Sequence, residues 1–185
     1  MGLTEARKYI TALHKKQKDP LEWPDYITGL PDRNAIIQMA RKKGIRTIAY
    51  IRIENINPYL AKYGTASHVE IIEWAAALLQ TTAEKYNMFV GTLSKHDFVV
   101  IGAQKNLDAF LEESTTLFEK KARSFYNKKD LQKGSIMHFM NEGKEIRLGL
   151  MKLIYCTSKG IKNLKREEMI LHLEKRCNEM QQPPL

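Results

Sequence analysis

Cysteine is nearly absent from this chain. Cys156 and Cys177 are the two it has in 185 residues, too few for a disulfide framework, and both read as free thiols of a reducing compartment. No apolar run approaches the ~18 residues of a membrane span. The opening MGLTEARKY lacks the apolar core of a secretory leader. Met1-Gly2 is no myristoylation signal, because Ala6 stands where serine or threonine is preferred. A cytoplasmic location is therefore expected. Acidic residues are in deficit, 21 against 30 Lys and Arg, for a net charge of +9. The basic residues fall in scattered clusters, Lys15-Lys16-Lys18, Arg41-Lys42-Lys43, Lys120-Lys121-Arg123 and Lys128-Lys129. These sit at expected helix ends or in loops and carry no interleaved stacking aromatics. They read as solvated charge that complements helix dipoles, and nucleic acid is not an expected partner. His14, His68, His96, His138 and His172 show no metal-ligand spacing, so no metal site is expected.

What remains is ample for a core: 43% of residues are apolar, and the length suits one domain with a little extra helix. Thr4 can cap a first helix to about Lys18, with Tyr9, Ile10 and Leu13 on one face, ended by Asp19-Pro20. Trp23, Tyr26 and Leu30 are expected to pin the following loop. Asp32 is expected to cap a helix to about Lys43 with Ala35, Ile36, Met39 and Ala40 inward. Thr47 to Ile53 is rich in β-branched residues and reads as a central strand. A short helix is expected to start at Asn57-Pro58 and to close at Gly64. Ser67 to Glu70 has capping-box spacing, followed by a stripe of Val69, Ile72, Ala76, Leu79, Ala83 and Tyr86. Asn106 is read as the cap of another helix, with Leu107, Phe110, Leu111, Leu117 and Phe118 inward. Phe125 to Lys133 reads as a basic loop. Ser135 to Met140 and Glu145 to Tyr155 read as a hairpin turning at Asn141-Glu142-Gly143. A last helix runs from Asn163 to about Met180.

The informative stretch is VGTLSKHDFVVIGA, residues 90–103. It reads as a hairpin, with Phe98 to Ile101 as a strand buried on both faces. Its bend, Ser94-Lys95-His96, contains no glycine, although tight hairpin turns favour one. Either the turn is of another type, or a site that once needed glycine has changed. Two other motifs bear on this. Asp25-Tyr26-Ile27-Thr28-Gly29-Leu30-Pro31-Asp32-Arg33 resembles the DxLTGLPNR opening of the GGDEF (diguanylate cyclase) family. Ile51-Arg52-Ile53-Glu54-Asn55 through Lys62-Tyr63-Gly64-Thr65 resembles that family's lDiDxFKxiNDxyGH segment. Leu93 to Phe98 then falls where the signature loop belongs. The resemblance covers roughly residues 25–156 and is similar to a divergent branch that reads RLEN and FVGHLGGDDFVVI.

The resemblance implies an α+β fold of ferredoxin-like or palm type, β-α-α-β-β-α-β, an antiparallel sheet with helices on one face and an added helix at each terminus. It divides the chain into a linker or docking helix, 1–20, and a degenerate GGDEF domain, 21–185. It also implies a reaction, the condensation of two GTP into cyclic di-GMP, which rests on metal ions and positioned charge. Carried over residue by residue, the first metal carboxylate aligns with Arg52 and the phosphate-contacting Lys with Asn57. The guanine-reading Asn aligns with Leu60 and the guanine-reading Asp with Val69. The two signature glycines are Ser94 and Lys95, and the signature metal ligand is His96. Asp97 keeps the fourth, acidic position, and Glu54 keeps the second acid of the DxD-like pair. The product-inhibition motif RxxD becomes Lys85-Tyr86-Asn87-Met88.

The expectation is thus a catalytically inactive GGDEF-like domain, with no catalytic residue, no metal and no cofactor. Its role would be that of a protein-interaction or regulatory module in bacterial signalling. The alternative is a receptor for cyclic di-GMP or another nucleotide at a reworked site, though cyclic di-GMP is not the expected ligand. The expected partner is another signalling protein, with self-association left open. Two surfaces could receive it. One carries Arg52, Asn55, Lys95 and His96, with Leu60 and Val69 nearby, and suits an acidic or amphipathic segment. The other is the N-terminal helix face of Tyr9, Ile10 and Leu13.

Overall fold

The computed structural model describes residues 27–42, 44, 47–141, 144–162 and 164–181. The first helix and the anchors Trp23 and Tyr26 lie outside them. Asp32 caps the first described helix, α1 (Arg33–Arg41), by accepting from the backbone N–H of Ala35 at 3.0 Å. Strand β1 (Thr47–Glu54) follows, then α2 (Ile56–Tyr63) and α3 (His68–Lys85). The hairpin strands are β2 (Phe89–Ser94) and β3 (Asp97–Gly102). Next come α4 (Gln104–Ala122), a 3₁₀ turn (Arg123–Phe125) and a short α5 (Lys128–Lys133). Strands β4 (Ser135–Asn141), β5 (Lys144–Gly149) and β6 (Lys152–Thr157) precede the final helix α6 (Arg166–Gln181).

Four strands form one antiparallel sheet in the order β2-β3-β1-β6, which makes β1 central as its composition implies. Alternation along β1 and β3 divides the core in two. Ile51, Ile53, Phe98 and Val100 face α2, α3 and α4, packing with Tyr59, Ile71, Leu79, Phe110 and Phe118. Tyr50, Val99 and Ile101 face the other way, against Ile36 and Ala40 of α1 and Met169, Ile170, Leu173 and Cys177 of α6. Helices therefore cover both faces, not one as the resemblance implied. The physical reason is in the run of Phe98 to Ile101: four apolar residues in succession give the sheet two apolar faces, and each must be buried. Burial of each large side chain contributes about 1.5–3 kcal/mol. Cys177 on α6 and Cys156 on β6 are both buried between that helix and the sheet, with Cys156 Sγ 3.4 Å from Met180 Sδ. Burial, and then the neighbouring Cys156, push the Cys177 thiol up to about 12.

Several local expectations change for identifiable reasons. The segment from Glu145 to Tyr155 is two strands in two sheets: β5 pairs with β4 alone, and β6 pairs with β1. The break at Leu150 and Met151 is held by Tyr126, whose hydroxyl accepts from the Met151 N–H at 2.8 Å. Ser67 makes no side-chain capping bond, and Val69 is 50% exposed. Ile72, Ala76, Leu79 and Ala83 are buried as the stripe predicts, and Ile71 and Ala75 join them in place of Val69. Helix α4 starts at Gln104, and Asn106 donates to the Tyr86 carbonyl at 2.9 Å, tying α4 to the end of α3. Leu117 is left 39% exposed. The expected basic loop is α5, capped by Asn127, with Asp130 buried against Lys62 (2.8 Å) and the Tyr63 hydroxyl. The Lys62 hydrogen bond, then that of Tyr63, hold the Asp130 carboxyl below its ordinary range.

Close backbone approach fixes one glycine. Thr92 donates to the Pro31 carbonyl at 2.9 Å, and a Cβ on Gly91 would lie 2.8 Å from that oxygen and 2.6 Å from Ile36 Cγ1. At Gly102 the obstacle is the Met88 side chain, 2.7 Å away at Cε and 2.9 Å at Cγ, with no backbone oxygen in the way. Gly91→Ala is expected to cost about 1–3 kcal/mol by overpacking, and Gly102→Ala clearly less. Urea melts of the two variants check the order, and equal losses would show that the Pro31 contact does not constrain β2.

Candidate functional site

The site is built where the covered sheet ends. Arg52 is the last residue of β1 opposite β3, paired in register with Asp97, the first residue of that strand. Period-two alternation puts Arg52 on the same face as Tyr50, toward α6. Its guanidinium makes an ion pair with Asp97, donates to the Tyr50 hydroxyl at 2.7 Å and donates to the side-chain oxygen of Asn178 on α6. Burial lowers the Arg52 pKa, but the hydrogen bond and charge of Asp97 more than offset this and leave it raised. Burial, then the charge and hydrogen bond of Asp97, push the Tyr50 hydroxyl far above its usual range. Asp97 also accepts from Ser94 Oγ at 2.5 Å.

Arg52, Glu54, Asn55, Asn57, His96 and Asp97 line one cavity of about 390 Å³. Glu54 is ion-paired with Lys152 at 3.2 Å. Asn55 is left-handed, φ 60°, a conformation asparagine tolerates better than most residues. Its side chain donates to the Leu150 carbonyl at 3.2 Å. The hairpin bend is the pair Lys95-His96, and neither residue has positive φ. A register shift between Thr92 and Ser94 accommodates the turn instead, so its lack of glycine has a conformational explanation. Lys95 is exposed at the tip. Leu60 packs against the core beneath α2, and Val69 lies exposed on α3. Neither lines the cavity. Tyr9, Ile10 and Leu13 lie outside the described residues. Lys85, which the resemblance places in the inhibition motif, donates to Glu113 at 2.7 Å, and Tyr86 donates to the same carboxylate at 2.8 Å.

His96 and Asp97 are adjacent but diverge. The His96 ring meets His68, with the two Nε2 atoms 2.8 Å apart. No sequence signal marks this pairing, since the residues are 28 apart and share no motif. Burial, then the Lys95 charge, lower the His68 pKa. Burial, then His68, lower that of His96, which Asp97 raises and Lys95 and Arg52 lower further. The hard divalent cation that the resemblance implies needs oxygen ligands. The donor set does not fit it: Arg52 stands at one ligand position, His96 at the other, and the neighbouring Asp97 carboxylate is engaged by Arg52. Among the described residues no three His, Cys, Asp or Glu side chains group to hold a metal.

No protein-family model matches the chain, and no curated protein matches it significantly in sequence. Solved structures do match. Diguanylate cyclase SiaD of Pseudomonas aeruginosa, solved with its activator SiaC, aligns at TM-score 0.60 and 10% identity over 95% of this chain and 64% of that one. The GGDEF domain of DgcB from Caulobacter crescentus, solved with c-di-GMP, aligns at TM-score 0.56 and 14% identity over 85% and 89%. A diguanylate cyclase/phosphodiesterase of Caldicellulosiruptor saccharolyticus aligns at TM-score 0.52 and 16% identity over 84% and 82%. The fold is that of a GGDEF domain. These neighbours correct one expectation. The sequence predicts no enzyme, whereas proteins sharing the fold are named diguanylate cyclases, and the fold is a cyclase fold.

Two outcomes follow from this geometry. Asp97→Ala strands a largely buried guanidinium and is expected to cost about 2–3 kcal/mol. Adding Arg52→Leu is expected to recover part of that loss, with a coupling of about 1 kcal/mol or more in a double-mutant cycle. Additive losses would show the pair to be uncoupled. The second outcome concerns pH. Both histidines titrate below the ordinary 6.5 when folded, so protons bind the unfolded chain more readily. Stability is full above about 6.5 and falls as pH drops below it. The His68→Gln/His96→Gln variant is expected to lose stability less steeply between pH 7 and 5, as read from melting temperatures at each pH.

Proposed function

We propose that this chain is a regulatory module of bacterial cyclic di-GMP signalling that acts by contact with another protein through the face around Arg52, Asn55, Lys95 and His96. The observation that carries this reading is the state of the strand-end cavity. Its central cation is already held by Asp97, Tyr50 and Asn178. Beyond Glu54 and Asn55 it adjoins a larger groove of about 850 Å³, where Lys120, Arg123 and Arg147 stand beside Leu148, Leu150 and Met151. Basic rim and apolar floor together suit an acidic, amphipathic segment. SiaD, which shares the fold, was solved with a protein activator, and this supports a protein partner as a mode of control for such a domain.

The test is capture of the partner by the tagged chain from bacterial lysate, followed by titration with the purified partner. Charge reversal at Lys95 and Lys120, both exposed, is expected to weaken binding and its salt sensitivity while leaving the melting temperature nearly unchanged. Arg52 is unsuitable for this test, because its ion pair makes reversal disruptive. Binding that survives the reversal and is lost on deleting residues 1–18 would assign docking to the N-terminal segment. Formation of cyclic di-GMP from GTP and magnesium by the purified chain would overturn the regulatory reading in favour of cyclase chemistry. Micromolar binding of cyclic di-GMP in calorimetry would replace it with the receptor reading.

A further inference from the structure

Strand β5 is paired on one side only, and its other edge opens into the larger groove. We propose that this edge docks the partner: an acidic, amphipathic segment of a second protein adds to it as an extended β-strand. The proposal rests on the regulatory reading and gives the bound segment its conformation and chemistry.

Strands β4 and β5 form a two-stranded sheet of their own, and among the described residues no strand but β4 pairs with β5. Alternate N–H and C=O groups along β5 therefore point away from β4, and such an unpaired row is a template for another chain. The groove of about 850 Å³ lies along this row. Ile146, Arg147, Leu148 and Gly149 of β5 all line it. Side chains alternate across a strand, so four lining residues in succession place the cavity along the edge and not over one face. Gly149 leaves the backbone open there, since a Cβ would meet nothing nearer than Asn55 Nδ2 at 3.6 Å. An extended segment satisfies the free groups with its own backbone, whereas a helix has bonded its own internally. Charge selects the segment. Lys120 and Arg123 supply the α4 side of the groove, both exposed, and neither is ion-paired among the described residues. Glu119 is the acid beside them, so that side is net basic. Alternation in an added strand turns acidic side chains toward these cations and apolar ones toward Leu148 and Leu150. The 6 residues of β5 span about 20 Å, which a segment of similar length matches.

The probes are four fluorescent eight-residue synthetic peptides in which Glu alternates with Val, Ile, Leu or Phe, titrated into the full chain and read by anisotropy. The expected result is saturable binding of at least one peptide and loss of binding when Lys replaces its Glu. The Lys120→Glu/Arg123→Glu variant is expected to bind at least about tenfold more weakly, because like charges then face each other. Circular dichroism checks that this variant folds. Methylating every second backbone nitrogen of the peptide separates backbone pairing from side-chain contact. One alternating set is expected to abolish binding and the other to spare it, since only alternate N–H groups of an added strand face its neighbour. No saturable binding by any peptide, or binding indifferent to both methylated sets, would overturn strand addition. Capture of a protein partner that the peptides do not displace would also overturn it, while leaving the regulatory reading in place. Peptide binding with no partner captured would support the β5 edge and count against that reading.

Discussion

A sheet covered on both faces leaves its charged groups one place to emerge, the ends of its strands, because a charge buried without a partner is too costly. The core of this molecule follows from that constraint. Residues 47–51 of β1 are all buried, and exposure begins at Arg52. Asp97 begins β3 directly across from it. The pair marks the boundary between the apolar interior and the polar cavity. Asn178 extends that boundary onto α6, and Tyr50 anchors it from within the core. Sheet, final helix and hairpin meet at one guanidinium.

The same boundary explains how the packing of this fold is independent of the residues at its strand ends. Core and site draw on alternating residues of the same strands. Ile51 and Ile53 face one apolar layer and Tyr50 the other. Substitution at position 52 changes the chemistry at the strand end while the packing layers keep their side chains. Fold and site can diverge independently for this reason. The β4–β5 hairpin likewise adds to the rim of the larger groove without joining the main sheet.

Much of the fold was legible in the sequence because its signals are local and periodic. The run of Phe98 to Ile101, the Asp32 cap and the β-branched β1 each declared themselves within a few residues. The same run also held the evidence against helices on one face, since four successive apolar residues cannot all point the same way. What stayed hidden depends on distant partners. Asp130 looked like one charge in a basic loop until Lys62 and Tyr63 came to meet it. The exposure of Val69 depends on how α3 rotates against the sheet, which a stripe of three- and four-residue steps fixes only to within one helical face. At the candidate site the contacts of Arg52 with Asn178 and of His68 with His96 join residues 126 and 28 apart. No motif carried that information.

Cys156 and Cys177 show a further effect of the two-sided cover. A thiol pushed up to about 12 exists as thiolate at only on the order of one part in 10⁵ at neutral pH, and the thiolate is the reactive form. While α6 is seated, the Cys177 sulfur is therefore chemically silent, and burial shields both sulfurs from reagents. Any alkylating agent that modifies them reads the moments when the helix lifts. The chain thus carries its own clock for local opening of the α6 layer, a motion that runs from low-cost fraying to global unfolding.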